Sequence, residues 1–292
     1  MKDRSLDGRN AIITGGSQGL GRAIAEAYVA AGARVLITAR TANDLAAAKS
    51  VLEEVAELPD RVLTMAGDVS VESDVQQFVA FAIDKWGSID ILVNNAAIYG
   101  PLGPLNECDW QEWKRTIEIN LYGSVLPARE VLPHMKRRRY GKIVQVSGGG
   151  AANPLPRITA YASAKAAVVR FAESLAEEVA EFAIDVNAIA PGPLHTRMLD
   201  RVLEAGPAAV GEAFHARMTQ LKAGGATPLE RAARLAVFLG SSASDGLTGR
   251  LISAAWDSWE TIPERLTEIQ SSDVYTVRRI TAADRQRDWD KR

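Results

Sequence analysis

Near the N-terminus, a short apolar strand, a glycine-rich turn and a helix follow one another directly. Residues 10–14 are apolar and bounded by polar residues, as is typical of a short buried strand. The turn at 15–21 reads GGSQGLG, and residues 22–29 have helical periodicity. Glycines let the backbone turn tightly against a pyrophosphate, and a helix N-terminus offers N–H donors and a positive dipole end. This order predicts a dinucleotide site, although the spacing G-x3-G-x-G is not the common G-x-G-x-x-G.

Strand and helix patterns alternate along the rest of the chain, which predicts a parallel sheet with helices on both faces. The predicted strands are 10–14, 34–38, 61–65, 89–93, 142–147, 184–189 and 250–253. The predicted helices include 43–57, 72–85, 110–137 and 160–182. Since no proline- or glycine-rich linker divides the chain, we predict one α/β domain with a doubly wound parallel sheet.

Tyr161 and Lys165 stand four residues apart in an alanine-rich run that favours helix. This spacing puts both side chains on one helix face. An isolated phenol titrates near pH ~10, and a fixed ammonium beside it would stabilise the phenolate and lower that pKa. An exposed Tyr–Lys pair on a helix surface would have the same spacing. The pair therefore indicates acid–base chemistry only together with the dinucleotide site.

Five motifs occur in the order and spacing of the short-chain dehydrogenase/reductase family, which the chain resembles over most of its length. They are T-G-x3-G-x-G at 14–21, N-N-A-A at 94–97, Asn120, Y-x3-K at 161–165 and P-G at 191–192. The resemblance implies a single Rossmann-like NADP-binding domain over residues 1–255, including a substrate lid at about 193–228. Residues 256–292 form a C-terminal extension that we expect to pack on the domain or on a neighbouring subunit.

The resemblance also implies which residues bind a nicotinamide dinucleotide. Arg40, after the second predicted strand, can receive a 2′-phosphate where an acid would take a ribose hydroxyl. No acid occurs between residues 35 and 43, so NADP(H) is the expected cofactor, with NAD(H) possible. Asp68 is expected beside the adenine and Asn94 beside the adenosine ribose. The full expected set is Gly15, Ser17, Gln18, Gly19, Leu20, Gly21, Arg40, Asp68, Val69, Asn94, Ala96, Tyr161, Lys165, Pro191, Gly192, Leu194 and Thr196.

The implied reaction is hydride transfer between a nicotinamide and a carbonyl or secondary alcohol. Tyr161 would exchange the proton with the substrate oxygen. Lys165 would lower the pKa of Tyr161 and hold the nicotinamide ribose. Asn120 resembles the family asparagine that anchors a water in the proton relay.

One position departs from the family pattern. A serine usually stands 13 residues before the tyrosine, but that position is Gly148, and Ser147 lies one residue earlier. We favour Ser147 as the substrate-polarising hydroxyl, because the three following glycines could re-aim it. Since side chains alternate along a strand, the offset could instead point it away. Glycine N–H groups and Thr159 are the alternatives.

The composition of the chain argues against several other classes of function. A formal net charge of −2 argues against a general nucleic-acid binder. The single Cys108 excludes an internal disulfide, and the three histidines stand far apart, so we expect no metal site. Residues 1–5 carry no apolar segment and no apolar run reaches about 18 residues, so we expect a cytoplasmic protein without a membrane partner.

Substrate and assembly are less constrained. Residues 195–227 mix charged and apolar side chains, which favours a small polar metabolite such as a sugar or cyclitol ketone. Trp256 and Trp259 are expected to dock on the domain, on a neighbouring subunit or over the active site. A homodimer or homotetramer would use an apolar stripe of the 160–182 helix, namely Val168, Val169, Phe171, Ala172 and Leu175. The alternative function is a catalytically weak or inactive nucleotide-binding regulator or scaffold, because the usual serine is missing.

Overall fold

The computed structural model describes residues 4–56 and 60–289 of the chain. Residues 1–3 and the predicted helix end at Glu57 lie outside the described residues, as do residues 290–292. Seven strands form one parallel sheet in the order β3-β2-β1-β4-β5-β6-β7. They are β1 Asn10–Thr14, β2 Arg34–Ala39, β3 Val62–Ala66, β4 Ile91–Asn94, β5 Gly141–Val146, β6 Ile184–Ala190 and β7 Leu251–Ser253. The predicted doubly wound parallel sheet is confirmed, and each predicted strand lies within two residues of an observed one.

The helices cover both faces of the sheet. They are α1 Gly19–Ala30, α2 Ala42–Val55, α3 Glu72–Trp86, α4 Trp110–Ile117, α5 Gly123–Arg138, α6 Thr159–Val179, α7 Arg197–Val210, α8 Glu212–Gln220, α9 Leu229–Gly240 and α10 Leu266–Gln270. The predicted 110–137 helix is interrupted by a π-helical turn at Glu118–Tyr122, which separates α4 from α5. Such turns frequently occur at functional sites.

The core consists of two apolar layers, one on each side of the sheet. Ile13 and Val35 pack toward α1 and α9, whereas Ile12 and Leu36 pack toward α3, α5 and α6. Because side chains alternate along a strand and both faces are covered, the central strands are apolar at nearly every position. The strand order reverses between β1 and β4, where sheets of this kind bind ligands beyond the carboxyl ends of their strands.

The C-terminal extension packs against its own chain at the β7 edge. Trp259 is 5% exposed and packs against Phe238 of α9, with ring centroids 6.0 Å apart and the rings tilted by 32°. The guanidinium of Arg250 donates to the carbonyls of Ile269, Ser272 and Val274 at 2.8–2.9 Å. Trp256, by contrast, is 69% exposed, so only the second of the two tryptophans docks on the domain. The exact division into domain and extension stays a prediction.

The predicted dimer stripe on α6 is not free for a partner. Val168, Val169, Ala172 and Leu175 are all buried within this chain, where three of them join the core beneath α6. Phe171 is partly buried against the same core. The sequence interpretation of this stripe as an interface was wrong, because helical periodicity does not distinguish a core face from an interface face.

Candidate active site

The glycine turn lies at the carboxyl end of β1 and packs closely against the chain that follows β4. Gly15 has a φ of 65°, in the left-handed region that favours glycine. A Cβ at Gly15 would lie 2.9 Å from Ala96 Cα, and a Cβ at Gly21 would clash with the Gly15 carbonyl. Helix α1 can therefore approach the turn this closely only with glycine at position 21. Both glycines are therefore needed for the close packing of the turn against α1 and the chain after β4.

Asn95 holds this turn in place, a role that the sequence interpretation did not assign. Its side chain donates to the carbonyls of Thr14 and Gly15 at 3.0 and 3.2 Å. Thr14 Oγ1 in turn accepts from the backbone N–H groups of Asn95 and Ala96. In the sequence, the signal for this role is the Asn94-Asn95 pair at the end of a buried strand. Asn95, the second residue of the pair, joins the ends of β1 and β4.

Several of the residues predicted to bind the nucleotide have buried side chains. Asn94 is buried and donates from Nδ2 to the Ser124 carbonyl of α5 at 2.9 Å, so its side chain stabilises the sheet edge. Leu20 and Val69 are also buried, which limits them to backbone contacts with a ligand. Ser17, Gln18 and Gly19 lie at the start of α1, and a Cβ at Gly19 would lie 3.7 Å from Thr196. The loop after β6 thus reaches the glycine turn.

Arg40 and Asp68 follow the neighbouring strands β2 and β3. Arg40 is exposed and forms no ion pair with any described residue. Asp68 pairs with Arg115 and accepts two hydrogen bonds from Ser70, at 2.9 and 2.6 Å. Burial opposes ionisation of Asp68, but the Ser70 hydrogen bonds and the Arg115 guanidinium hold its pKa below the usual range. The negative charge of Asp68 is therefore already balanced by Arg115 and does not depend on Arg40.

Tyr161 and Lys165 share one face of α6, as predicted. Lys165 is 2% exposed, donates from Nζ to the Val146 carbonyl at 2.6 Å, and lies 5.8 Å from the centroid of the Tyr161 ring. Burial lowers the pKa of Lys165 to about 8. Burial also raises the pKa of Tyr161, and the phenol of Tyr99 adds to this rise. The lowering of the Tyr161 pKa that was expected from Lys165 is therefore not found, and desolvation raises this pKa instead.

Ser147 does not present its hydroxyl to the site. The side chain is 2% exposed, and its Oγ donates to the Lys165 carbonyl at 3.3 Å. A Cβ at Gly148 would clash with Tyr161 Oη and lie 3.3 Å from Tyr161 Cζ. The Tyr161 hydroxyl therefore fills the space that a side chain at position 148 would need. The predicted re-aiming of Ser147 was wrong, because strand alternation turns its side chain toward the α6 backbone.

Two other predicted polar residues, Thr159 and Asn120, also form hydrogen bonds within the protein. Thr159 Oγ1 accepts a hydrogen bond from Trp113 Nε1 at 3.3 Å. Asn120, fully buried in the π-helical turn, accepts from the Ile98 N–H and donates to the Ile98 carbonyl, both at 2.8 Å. It therefore holds the loop after β4. Its role in a proton relay stays a prediction.

Tyr99, in that loop, contacts Tyr161 directly and was missed by sequence reasoning. The two ring centroids lie 4.8 Å apart with an interplanar angle of 67°, a T-shaped contact. Tyr99 also packs against the apolar cluster of the predicted lid, which consists of Leu199, Val202, Val210 and Met218. A tyrosine in a loop carries no spacing signal, so only the structure could identify this contact.

The predicted lid begins and ends beside β6. Thr227 donates from its backbone N–H to the Pro193 carbonyl at 2.7 Å, and Leu194 forms a β-bridge with Thr227. Gly192 has a φ of 84° and a Cβ there would lie 2.7 Å from Thr227 Oγ1. Helices α7 and α8 lie between these ends. The loop that starts at Pro191 and the end of the segment are thus fixed to one another.

Two further properties concern residues 4–56 and 60–289. No group of three or more His, Cys, Asp or Glu side chains there is arranged to hold a metal ion. None of the helices described there combines the length and apolar character needed to cross a bilayer.

Comparison with known proteins agrees with this geometry. The family model for short chain dehydrogenases matches residues 9–206. Sorbitol dehydrogenase of Cereibacter sphaeroides is 33% identical over 261 residues, which cover 87% of this chain and 98% of that protein. The structure of levodione reductase has a TM-score of 0.78 at 28% identity and covers 86% of this chain and 100% of that one. A gluconate 5-dehydrogenase from Burkholderia cenocepacia J2315, in complex with NADP and tartrate, has a TM-score of 0.72 at 27% identity, covering 86% and 95%.

A parallel sheet with a glycine turn at its switch point and a Tyr–Lys pair at the same edge defines a dinucleotide-dependent oxidoreductase. The chain belongs to the short chain dehydrogenase family. It is accordingly an oxidoreductase of alcohols or ketones that uses a nicotinamide dinucleotide.

Replacing Gly148 by serine should lower activity, although it restores the usual family residue. The new side chain would displace the Tyr161 hydroxyl, and a shift of about 1 Å in a catalytic group costs on the order of 100-fold in kcat. Gly149→Ala is the matched control, because a Cβ there meets nothing within 4 Å. Steady-state kinetics measure kcat for both variants and for wild type. Equal or higher activity of Gly148→Ser would contradict the account.

Lys165 should make the stability of the protein depend on pH. Its pKa is about 8 in the folded chain against 10.5 for a free lysine, so between these values the unfolded chain binds more protons. Wild type should therefore gain about 3 kcal/mol in unfolding free energy relative to Lys165→Met as the pH rises through this window. Urea unfolding at several pH values measures the difference, with Lys114→Met, at an exposed lysine, as control. A difference that stays constant with pH would show that Lys165 titrates normally.

Proposed function

We propose that this chain is an NADP(H)-dependent oxidoreductase that interconverts a ketone and a secondary alcohol on a small polar metabolite, such as a sugar or cyclitol. Tyr161 acts as the acid or base. The observation that carries the proposal is the position of the Tyr161 hydroxyl, which contacts Gly148 just beyond the carboxyl end of β5. The glycine turn follows the carboxyl end of β1 in the same parallel sheet, so the proton donor and the turn share one edge.

The residues present fit a nicotinamide dinucleotide. Gly15 and Gly21 let the glycine turn pack closely at the N-terminus of α1, where backbone N–H groups suit a pyrophosphate. When bound in its reduced form, the nicotinamide supplies a hydride to the substrate carbon. Tyr161 would donate its proton to the substrate oxygen, and its raised pKa keeps the phenol protonated at neutral pH. Lys165 would place a positive charge beside this phenol.

Arg40 supports the preference for NADP(H). It is an exposed cation without an ion-pair partner among the described residues, directly after β2. Asp68, on the neighbouring strand end, is occupied by Arg115 and Ser70 and so does not compete for Arg40. An arginine at this position suits a 2′-phosphate. The NADP complex of the gluconate 5-dehydrogenase relative agrees with this assignment.

A polar substrate is supported by the names of the relatives, which include a sorbitol dehydrogenase and a gluconate 5-dehydrogenase. Levodione reductase extends the range to levodione. The cytoplasmic location and the homo-oligomeric state expected from the sequence stay predictions.

The regulator or scaffold alternative is favoured by one observation. The hydroxyls of Ser147 and Thr159, two candidates for a second hydrogen bond to the substrate, are both engaged within the protein. A chain that lacks such a donor would bind the nucleotide and turn over slowly. Nucleotide binding without turnover of any tested substrate would support this alternative.

The proposed reaction is tested with sorbitol and gluconate in the presence of NADP⁺ or NAD⁺, and with levodione in the presence of NADPH or NADH. The absorbance of the reduced nicotinamide reports turnover. We expect turnover of at least one polar substrate by wild type, and loss of about 1,000-fold in kcat in Tyr161→Phe, which keeps the ring but not the proton. Turnover that persists in Tyr161→Phe would reject the assigned acid.

Arg40→Glu tests the cofactor preference. It replaces the expected phosphate partner with a repelling charge, so kcat/KM for NADPH should fall about 50-fold or more while that for NADH stays the same or rises. Arg285→Glu, on an exposed turn of the extension, makes the same charge change away from the site. An unchanged ratio of NADPH to NADH efficiency in Arg40→Glu would refute the assignment.

A further inference from the structure

Tyr99 occupies a fixed position beside the proposed proton donor. Asn120 holds the preceding residue, Ile98, through both its N–H and its carbonyl, each at 2.8 Å. The following residue, Gly100, has a φ of 73°, and a Cβ there would overlap Thr116 Oγ1 and lie 2.9 Å from Thr116 Cβ. Tyr99 is therefore fixed on both sides, by a buried amide and by close backbone packing.

The Tyr99 ring is in T-shaped contact with the Tyr161 ring, with centroids 4.8 Å apart. Neither hydroxyl has a hydrogen-bond partner among the described residues, and neither oxygen is among their sealed, unpaired buried atoms. Both hydroxyls are therefore open to a ligand. Burial raises the pKa of Tyr99, so its phenol, like that of Tyr161, stays protonated at neutral pH and can donate a hydrogen bond.

The Ser147 hydroxyl, the side chain favoured for this task, already donates within the protein and is not available as a donor to a substrate. Ser147 Oγ donates to the Lys165 carbonyl, and Thr159 Oγ1 accepts from Trp113. Gly148 has no side chain, and the space for one is filled by Tyr161 Oη. Within residues 4–56 and 60–289, Tyr99 is the one further tyrosine whose ring contacts that of Tyr161, the proposed proton donor.

We propose that Tyr99 donates a second hydrogen bond to the reacting oxygen of the substrate and so acts as a catalytic residue. This inference rests on the proposed function. In the reducing direction, a bound reduced nicotinamide would supply a hydride to the carbonyl carbon and become oxidised, the π electrons of the C=O bond would move to oxygen, and Tyr161 would give its proton to that oxygen and be left as a phenolate. Tyr99 keeps its own proton throughout and stabilises the negative charge that develops on that oxygen.

The ring and the hydroxyl of Tyr99 have separable roles. The ring packs against the apolar cluster of Leu199, Val202, Val210 and Met218 as well as against Tyr161. Tyr99→Phe keeps these packing contacts and removes only the donor. Tyr99→Leu removes both, so a comparison of the two variants distinguishes hydrogen bonding from packing.

Kinetics with sorbitol, gluconate and levodione test the donor role. We expect Tyr99→Phe to lower kcat about 100- to 1,000-fold with little change in KM, as loss of one donor to a developing oxyanion does. Tyr140→Phe is the matched control, because Tyr140 also carries a hydroxyl without a partner but precedes β5 at the opposite edge of the sheet. A normal kcat in Tyr99→Phe, with an inactive Tyr161→Phe, would overturn this inference and leave the proposed function standing. An active Tyr161→Phe would instead refute the proposed function.

A spectrum recorded without substrate supplies the second readout. In protein labelled with ¹³C at tyrosine Cζ, the resonance of Tyr161 at neutral pH reports the surroundings of its hydroxyl. Because Tyr99→Phe keeps the ring contact with Tyr161 and removes only the Tyr99 hydroxyl, this variant should shift the Tyr161 resonance, whereas Tyr140→Phe should not. An unchanged Tyr161 resonance in Tyr99→Phe would show that the two hydroxyls do not share one space, and would overturn the proposal even if no substrate of the panel is turned over.

Discussion

The contact between the end of β5 and helix α6 determines the arrangement of the site. Three consecutive residues of the chain each meet α6 at a different point. The Val146 carbonyl accepts from Lys165 Nζ, Ser147 Oγ donates to the Lys165 carbonyl, and Gly148 packs against Tyr161 Oη. Together these contacts fix both the height and the rotation of α6 on the sheet. A one-residue change of register there would misplace the phenol and the ammonium together.

The same contact explains why this chain differs from the usual family pattern. With Tyr161 Oη in van der Waals contact with Gly148, there is no room for a side chain at that position. The ammonium of Lys165 donates to the Val146 carbonyl. Burial raises the pKa of Tyr161. The phenol is therefore held as a proton donor. A site of this kind gains from a second donor, and the loop after β4 brings one phenol, that of Tyr99, into contact.

The sequence alone predicted the parallel sheet, because period and apolar runs are local properties that both layers of the core enforce. It also predicted that Tyr161 and Lys165 share a helix face, since i, i+4 spacing decides this. It did not predict the direction of Ser147, which depends on a partner 18 residues away, or the engagement of Asn120 by Ile98, 22 residues away. Tyr99 had no local signal at all. Contacts formed by tertiary packing of loops could be identified only in the structure.

A crystal structure of the chain with NADP⁺ and sorbitol would test the central claim most directly. We expect Tyr161 Oη to remain against Gly148 and to lie within hydrogen-bond distance of the substrate oxygen, with the substrate carbon next to the nicotinamide ring. A structure in which Tyr161 has turned away from Gly148, or in which its hydroxyl is separated from the substrate oxygen by more than one water molecule, would contradict it.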